Sequence, residues 1–347
     1  MEHKNRYEYF YEIMKNTYSG PDSDELISLL KSYYTVEWFE KNDYEFSMSH
    51  SSLFAQPPLS IVQNCIYRNA EILWRFFDDM KLVHSRIGLS EERLKRLTNP
   101  ALAFQTYFEL KISTLLSIAG FKVVCDFPTA RNKDVEARIE KDEFSCLVEC
   151  KVLNLSDKSV EFYKWKSIYM GYLTQQHIER KASVCGEVEY YSHFGEETWR
   201  EIIGCTMKAI ETGDTYTFET SDVKLTVCPM PTQKYPTLRT TEVFPETKRI
   251  KSTLDKAQAK LKNAGSAVLF CCVPREAGQS SAVEEIKKLL KNKKYKQISQ
   301  AILVDPLYTF ETEFTRFNEL VNPNSKEQFL FWDKEQLKFE IRQSGQV

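Results

Sequence analysis

Glycine is scarce in this chain, with 11 residues among 347. The sequence contains no GxxxxGK[ST], GxGxxG or GxSxG pattern, so the usual signatures of phosphate-binding loops, dinucleotide-binding loops and the α/β-hydrolase nucleophile turn are missing. The five histidines form no HExxH motif, which leaves metalloprotease chemistry unsupported. The function is therefore expected to depend on none of these motifs.

Long apolar runs and paired cysteines are also missing. No apolar run approaches the roughly 18 residues of a membrane helix, and the N-terminus leads into no signal-peptide core, so cytoplasmic residence without a membrane partner is expected. The nine cysteines form no CxxC pair and indicate reduced core residues. A net charge of -2 gives no global sign of a nucleic-acid partner, so such binding would depend on local basic patches.

The chain is long enough for one large domain and a smaller one, and its hydrophobic content of 42% is ample for a core. Residues 1–98 are predicted to form a helical region. Its aromatic residues could stack on bases, but aromatics at helical spacing are far more often core, and the core interpretation is preferred. The predicted helices of this region lie near 5–17, 23–34, 59–83 and 90–97.

The pattern changes to an α/β alternation at residue 99 and continues to residue 347. Asn99 as N-cap, Pro100 as first helical residue and Gly120 as stop predict a helix over 100–119. The residues around 185–247 fit the alternation poorly and are interpreted as an insertion. The further predictions are strands at 121–126, 134–139, 144–151, 223–228, 267–273 and 298–304, and helices at 158–182, 248–263 and 281–292.

One tripeptide, Glu149-Cys150-Lys151, stands out among several acid-x-lysine sequences. It alone ends an apolar strand that follows another strand beginning with an acid, Asp134. A turn centred between Lys141 and Asp142 would set Asp134 directly opposite Glu149. Like charges at such positions are destabilising unless something compensates them, and a divalent cation would do so. Lys151, two residues beyond Glu149, should emerge on the same face.

These residue types suit metal-assisted hydrolysis. Mg²⁺, with Mn²⁺ as a substitute, binds carboxylate oxygens, water and substrate phosphate, and a nearby lysine can orient the attacking water. Glu109 lies on the sheet-facing side of the 100–119 helix, where an unpaired carboxylate is costly. Either a buried partner such as an arginine neutralises it, or it points to the metal site.

The arrangement of Glu109 on a helix, Asp134 on a strand and Glu149-Cys150-Lys151 on the next strand resembles the PD-(D/E)xK, or restriction-endonuclease-like, nuclease superfamily. The resemblance implies an α/β fold with a restriction-endonuclease-like core, a mixed central sheet flanked by helices, over 99–347. It implies that Asp134, Glu149 and Glu109 ligate Mg²⁺, that the Cys150 carbonyl adds a ligand, and that Lys151 assists the nucleophile. Lys133 stands where the motif has proline.

The resulting hypothesis is that the chain is a Mg²⁺-dependent endonuclease that acts on nucleic acid, with DNA favoured over RNA as the substrate. A role in restriction or defence follows only from analogy with the family. Two alternatives stay open. The first is a catalytically silent nucleic-acid-binding or scaffolding protein that keeps the fold, and the second is an unrelated α/β protein that acts through its helical N-terminal region. That region could also mediate a homodimer or bind a protein partner. The lysine-rich stretches 248–262 and 287–296 could contact phosphates, although a solvated charged face is the preferred interpretation.

Overall fold

The structure is a computed structural model, and it describes most of the chain between residues 7 and 342. The described residues are 7–8, 11–12, 14–16, 20–41, 70–99, 102–128, 134–153, 156–180, 182–230, 236–241, 246–261, 265–273, 279–304, 317–325, 329–333, 335–336 and 338–342.

Helices and strands alternate through most of the described chain. The helices are α1 (Pro21–Lys31), α2 (Val36–Lys41), α3 (Ala70–Arg86), α4 (Glu91–Leu97), α5 (Ala103–Ile118), α6 (Asp157–Arg180), α7 (Glu196–Thr212), α8 (Thr247–Leu261) and α9 (Gln279–Leu290). The strands are β1 (Lys122–Pro128), β2 (Asp134–Lys141), β3 (Phe144–Val152), β4 (Ser183–Tyr190), β5 (Tyr216–Glu219), β6 (Val223–Met230), β7 (Thr237–Thr241), β8 (Ala267–Cys272), β9 (Ile298–Val304), β10 (Phe317–Val321), β11 (Phe329–Asp333) and β12 (Lys338–Arg342).

A six-stranded mixed sheet in the order β1-β2-β3-β8-β9-β10 forms the centre of the fold. The first three strands are antiparallel neighbours, β3, β8 and β9 run parallel, and β10 is antiparallel to β9. Parallel neighbours need crossover connections, and here these include α8 before β8 and α9 before β9. Every residue of β8 and β9 is buried, as expected for strands covered on both faces. The predicted mixed sheet flanked by helices is therefore present.

Helix α5 covers one face of this sheet, and the predicted sheet-facing positions of α5 are the buried ones. Phe108, Ile112 and Leu116 pack with Val148 of β3 and Phe270 of β8 in one apolar cluster. The two-stranded sheet of β11 and β12 adds Leu330, Trp332 and Phe339 to the same cluster. A carboxylate on this side of α5, such as that of Glu109, is consequently held against the sheet.

The start of α5 differs from the prediction, whereas its end agrees. The helix begins at Ala103 with Leu102 as a cap that makes no side-chain hydrogen bond, so Asn99 is not the N-cap. The Asn99 carbonyl accepts hydrogen bonds from the backbone N–H groups of Leu102 and Ala103, which shows that a turn precedes the helix. Pro100 lies outside the described residues. Gly120 follows the helix with φ 84°, a conformation that suits glycine at a helix end.

Helices α8 and α9 cover the opposite face, and α6 packs on α7 and β4. Helix α8 turns Ile250, Leu254, Ala257 and Leu261 inward, the face that its sequence periodicity predicts. These residues join Leu147 of β3 and a large apolar cluster beneath the sheet. The lysines of α8 lie outside this inward face.

The predicted insertion contains regular structure. Strands β4 to β7 form a four-stranded sheet in the order β5-β6-β4-β7, and α7 lies between β4 and β5 in the chain. Trp199 of α7 is fully buried against Phe162, Tyr190 and Phe194. This second sheet shares one apolar cluster with the face of the six-stranded sheet that α8 covers.

The helical N-terminal region packs on α5. Leu30 of α1, Met80 of α3 and Leu94 of α4 form a third apolar cluster with Tyr107 and Leu110 of α5. Tyr34 and Tyr107 are fully buried, in agreement with the interpretation of the aromatic residues as core. None of the helices in the described part of the chain is long and apolar enough to cross a membrane.

Candidate metal and catalytic site

The hairpin of β2 and β3 fixes which acids can meet. Lys141 pairs with Phe144 and Ala137 with Val148, so the turn is centred between Asp142 and Glu143. Asp142 has φ 53°, a left-handed conformation that aspartate tolerates better than most residues. The predicted turn centre, between Lys141 and Asp142, is wrong, and the register differs from the predicted one by two residues. A shift of two keeps every side chain on its predicted face but changes its partner.

Asp134 is the predicted residue that this shift affects most. It begins β2, and its backbone pairs with Pro128 of β1. Its side chain lies outside the described part of the chain. Continued towards the start of β2, the observed register sets Asp134 opposite Lys151 and sets Glu136 opposite Glu149. The prediction that Asp134 faces Glu149 is therefore wrong, and Glu136 takes that position.

Glu149 lies at the centre of the site. Its side chain is completely buried, and that of Glu136 is nearly so at 8% exposure. The ammonium nitrogen of Lys151 is in direct ion-pair contact with Glu149 Oε1. The ammonium nitrogen of Lys260, from the last turn of α8, lies 3.0 Å from Glu149 Oε1 and 3.3 Å from Glu136 Oε1. Two carboxylates from adjacent strands thus share one lysine.

Glu109 approaches the same site from α5. Its Oε2 accepts a 2.8 Å hydrogen bond from Arg96 Nη2, and its Oε1 accepts a 2.7 Å bond from Gln105 Nε2. The negative charge of Glu136 also acts on Glu109 and raises its pKa. Of the two alternatives for Glu109, the structure shows the arginine partner, and the metal-ligating role stays a prediction.

Gln105 joins Glu109 to the end of β3. Its Nε2 donates to the Cys150 carbonyl at 3.0 Å, and its Oε1 accepts from the Val152 N–H at 2.9 Å. The Cys150 carbonyl also accepts a 3.1 Å hydrogen bond from Lys151 Nζ. The oxygen that the family resemblance names as a ligand is thus fixed by two donors.

Burial and like charge make this cluster electrostatically costly. Burial, followed by the charge of Glu136, raises the pKa of Glu109 to about 8. Burial also raises the pKa of Glu149, against the opposing effect of Lys151. Burial alone would lower the pKa of Lys260, but the charges of Glu149 and Glu136 raise it above its usual value. The arrangement therefore favours positive charge between β2 and the end of α8.

The position of Lys260 depends on how α8 is anchored. Glu246, just before the helix, accepts hydrogen bonds from the backbone N–H and the hydroxyl of Ser156, both at 3.0 Å, and from Ser159 of α6. The apolar face of α8 then packs beneath the sheet. Because the residue before the helix and one face of the helix are both held, the Lys260 ammonium is placed beside the two carboxylates.

The donor chemistry of the cluster fits a hard divalent cation. Carboxylate oxygens of Glu136, Glu149 and Glu109 and the carbonyl oxygen of Cys150 are the ligand types that Mg²⁺ prefers. Within the described ranges, however, no three acidic, histidine or cysteine side chains converge on one metal position. In this structure the ammonium of Lys260 supplies the positive charge between Glu136 and Glu149.

Sequence reasoning missed Glu136, Lys260, Gln105 and Arg96. The left-handed preference of Asp142 was an available signal for the correct turn, and hence for Glu136. The bond from Gln105 to Glu109 is an i,i+4 contact that the helix spacing could have predicted. The contacts of Arg96 with Glu109, of Gln105 with Cys150 and of Lys260 with Glu149 join separate elements, and no local pattern predicts them. The lysine-rich stretch 248–262 was interpreted as solvated, which is wrong for Lys260, whose side chain is 27% exposed.

The chain matches no protein-family model, no curated protein and no solved structure.

Proposed function

We propose that the chain is a metal-dependent nuclease that hydrolyses phosphodiester bonds, with DNA as the favoured substrate, on a restriction-endonuclease-like core. The observation that carries the proposal is the contact of Glu149 with Lys151 on β3 and the sharing of Lys260 between Glu149 and Glu136 of β2. The charge of Glu136 also raises the pKa of Glu109 on α5. The order of one helix, three antiparallel strands and a parallel strand beside β3 also supports it.

Glu136 and Glu149 would hold the cation, with Asp134, Glu109 and the Cys150 carbonyl as further candidate ligands. A bound Mg²⁺ supplies charge stabilisation at the scissile phosphate and makes a bound water more acidic. Lys151 would orient the attacking water and help to move its proton, because its ammonium lies beside Glu149 at the end of β3. Gln105 holds the Cys150 carbonyl in place, and Arg96 offsets the charge of Glu109.

The exposed face of α8 is suited to the nucleic-acid backbone. The helix carries five basic residues and one acid, and Lys248, Lys251 and Lys256 are exposed on one side of it. The acid, Asp255, is paired with Lys294. Lys256 lies one turn before Lys260, so the basic face continues to the acid cluster. Phosphates bound along this face would be directed towards Lys151.

A catalytically silent scaffold is the second candidate, and the lysine bridge favours it. Lys260 and Lys151 already compensate Glu149, and such a neutralised cluster could serve only to hold α8 against the sheet. This alternative predicts that neither Mg²⁺ nor Mn²⁺ produces cleavage.

Cleavage assays with Lys151→Ala separate the two candidates. The purified parent should cut plasmid, linear or single-stranded nucleic acid with Mg²⁺ or Mn²⁺ and not with chelator. Lys151→Ala should reduce the rate by about a hundredfold or more, since a positioned proton-transfer group contributes on that scale. The variant should keep its fold because Lys260 remains paired with Glu149.

Lys122→Ala is the matched control, since Lys122 is an exposed β1 lysine with a surface ion pair to Glu140. It should cleave at the parental rate. Full activity in Lys151→Ala, or no metal-dependent cleavage by the parent, would reject the nuclease assignment.

A further inference from the structure

The ammonium of Lys260 lies where a cation shared by Glu136 and Glu149 would lie. Its Nζ is 3.3 Å from Glu136 Oε1 and 3.0 Å and 3.3 Å from the two oxygens of Glu149. The Glu136 side chain is 8% exposed and the Glu149 side chain is completely buried. Two buried carboxylates on neighbouring strands need a positive partner, and α8 provides one.

The lysine is held at this place by the helix that carries it. Lys260 is in the last turn of α8, where the helix dipole also favours a cation. Its neighbours Ala257 and Leu261 are buried in the core, which fixes the base of the side chain. The four-carbon chain beyond that base is flexible and has several staggered rotamers, and 27% of the side chain is exposed to solvent. The ammonium can therefore leave the acids without any change in the helix.

We propose that Lys260 is a displaceable internal countercation, which keeps Glu136 and Glu149 together without metal and competes with the divalent cation for them. The inference rests on the proposed nuclease function, in which these two acids hold the metal. Lys151 differs from Lys260, since it contacts only Glu149 among the described acids and is kept at the Cys150 carbonyl. Removing Lys260 should tighten metal binding and, without metal, loosen the acid pair.

The test is a Mn²⁺ titration by calorimetry in the absence of nucleic acid, on the full chain. Lys260→Met keeps the length of the side chain and removes its charge. It should bind Mn²⁺ about tenfold more tightly than the parent, a size typical of coupling between two competing ligands. Without metal its melting temperature should fall, and Mn²⁺ should raise that temperature more than it does for the parent.

Three further variants test whether the change in Mn²⁺ affinity comes from losing the Lys260 contact. They distinguish it from a general effect of charge and from a failure to fold. Lys260→Arg keeps the charge and should bind Mn²⁺ within about twofold of the parent. Lys122→Met removes an exposed charge of β1 and should also stay within about twofold, because an exposed lysine is screened by solvent. Lys260→Gln retains hydrogen-bond donors, so it gives the same comparison if Lys260→Met does not fold.

The failures of the two proposals are distinguishable. Unchanged or weaker Mn²⁺ binding by Lys260→Met and Lys260→Gln would overturn the countercation, while metal-dependent cleavage that is lost in Lys151→Ala would still support the nuclease. If neither the parent nor the Lys260 variants bind Mn²⁺, the countercation is overturned, and the nuclease is then decided by the cleavage assay alone.

Discussion

At the scale of single residues, burial makes the negative charges of the acids in this site costly unless positive groups compensate them. Glu149 is completely buried and touches two lysines, Glu136 shares one of them, and Glu109 is satisfied by Arg96 and Gln105. Removing one partner of a buried ion pair typically costs several kcal/mol, whereas replacing both partners by apolar residues is often neutral. Stability alone therefore gives little reason to place three carboxylates here, and a cation-binding role gives a direct one.

Glu109 should make the metal-free protein less stable as the pH rises. Burial, and then the charge of Glu136, raises its pKa from 4.5 to about 8. The folded protein then binds more protons than the unfolded chain between pH 4.5 and about 8. The free energy of unfolding should fall with rising pH through that window, by at most about 1.4 kcal/mol per pH unit for one proton, and level off above it.

Urea unfolding with chelator, across that pH window, measures this effect. Glu109→Gln should flatten the slope by up to one proton, whereas Glu143→Gln, in the exposed β2-β3 turn, should keep the parental slope. Equal slopes in the parent and in Glu109→Gln would show that Glu109 is ionised in the folded protein at neutral pH.

At the scale of elements, the periodicity of apolar residues predicted which side chains form the core. The local sequence did not predict which side chains of the site contact one another. The strand over 298–304 and the inward face of α8 were predicted from apolar patterns and are present. The β2-β3 register was missed because four consecutive polar residues, Glu140 to Glu143, leave the turn centre open. Glu149 and Lys151 could be selected from sequence, since both lie on one short strand. The partnership of Lys260 with β2 and β3 bridges more than a hundred residues and needed the fold.

The strand β4 was not predicted, and it contains a position where only glycine fits. Gly186 pairs with Val227 of β6 and with Leu238 of β7, so β4 has a hydrogen-bonded neighbour on each side. A Cβ at Gly186 would come 2.0 Å from the Thr226 carbonyl oxygen, which belongs to the backbone and cannot rotate away. Gly186→Ala should therefore force β4 and β6 apart locally.

We expect Gly186→Ala to lower the free energy of unfolding by about 1–3 kcal/mol, the usual cost of overpacking. Gly204→Ala is the matched control, because a Cβ there meets open space on α7. It should be neutral or stabilising by up to about 1 kcal/mol, since alanine favours helices. Denaturant titration measures the stability of the two variants. If Gly186→Ala is as stable as the parent, the backbones of β4 and β6 leave room for a Cβ at Gly186.

On the scale of the whole molecule, the charges are separated although the net charge is only -2. Three buried acids come from α5, β2 and β3 and lie near the end of α8, and basic residues cover the outer face of α8. The lysines of α9 differ from those of α8, because Lys287 and Lys288 have acidic partners in Glu284 and Glu285. Of the two lysine-rich stretches, the one on α8 is better suited to bind phosphates and leads to the acid cluster.

This separation predicts how nucleic-acid binding responds to salt. Each lysine that neutralises a phosphate releases counterions and contributes about 0.9 to the slope of log K against log salt concentration. Lys251→Ala/Lys256→Ala, made in the Lys151→Ala background to prevent cleavage, should weaken duplex binding and reduce the slope by about 1.8.

The matched control, Lys287→Ala/Lys288→Ala in the same background, removes as much charge and should change the slope little, because these lysines are paired with acids on their own helix. Fluorescence anisotropy of a labelled duplex over a range of salt concentrations measures both. Equal losses from the two helices would indicate that only total charge matters, and a loss confined to α9 would place the nucleic acid away from the acid cluster.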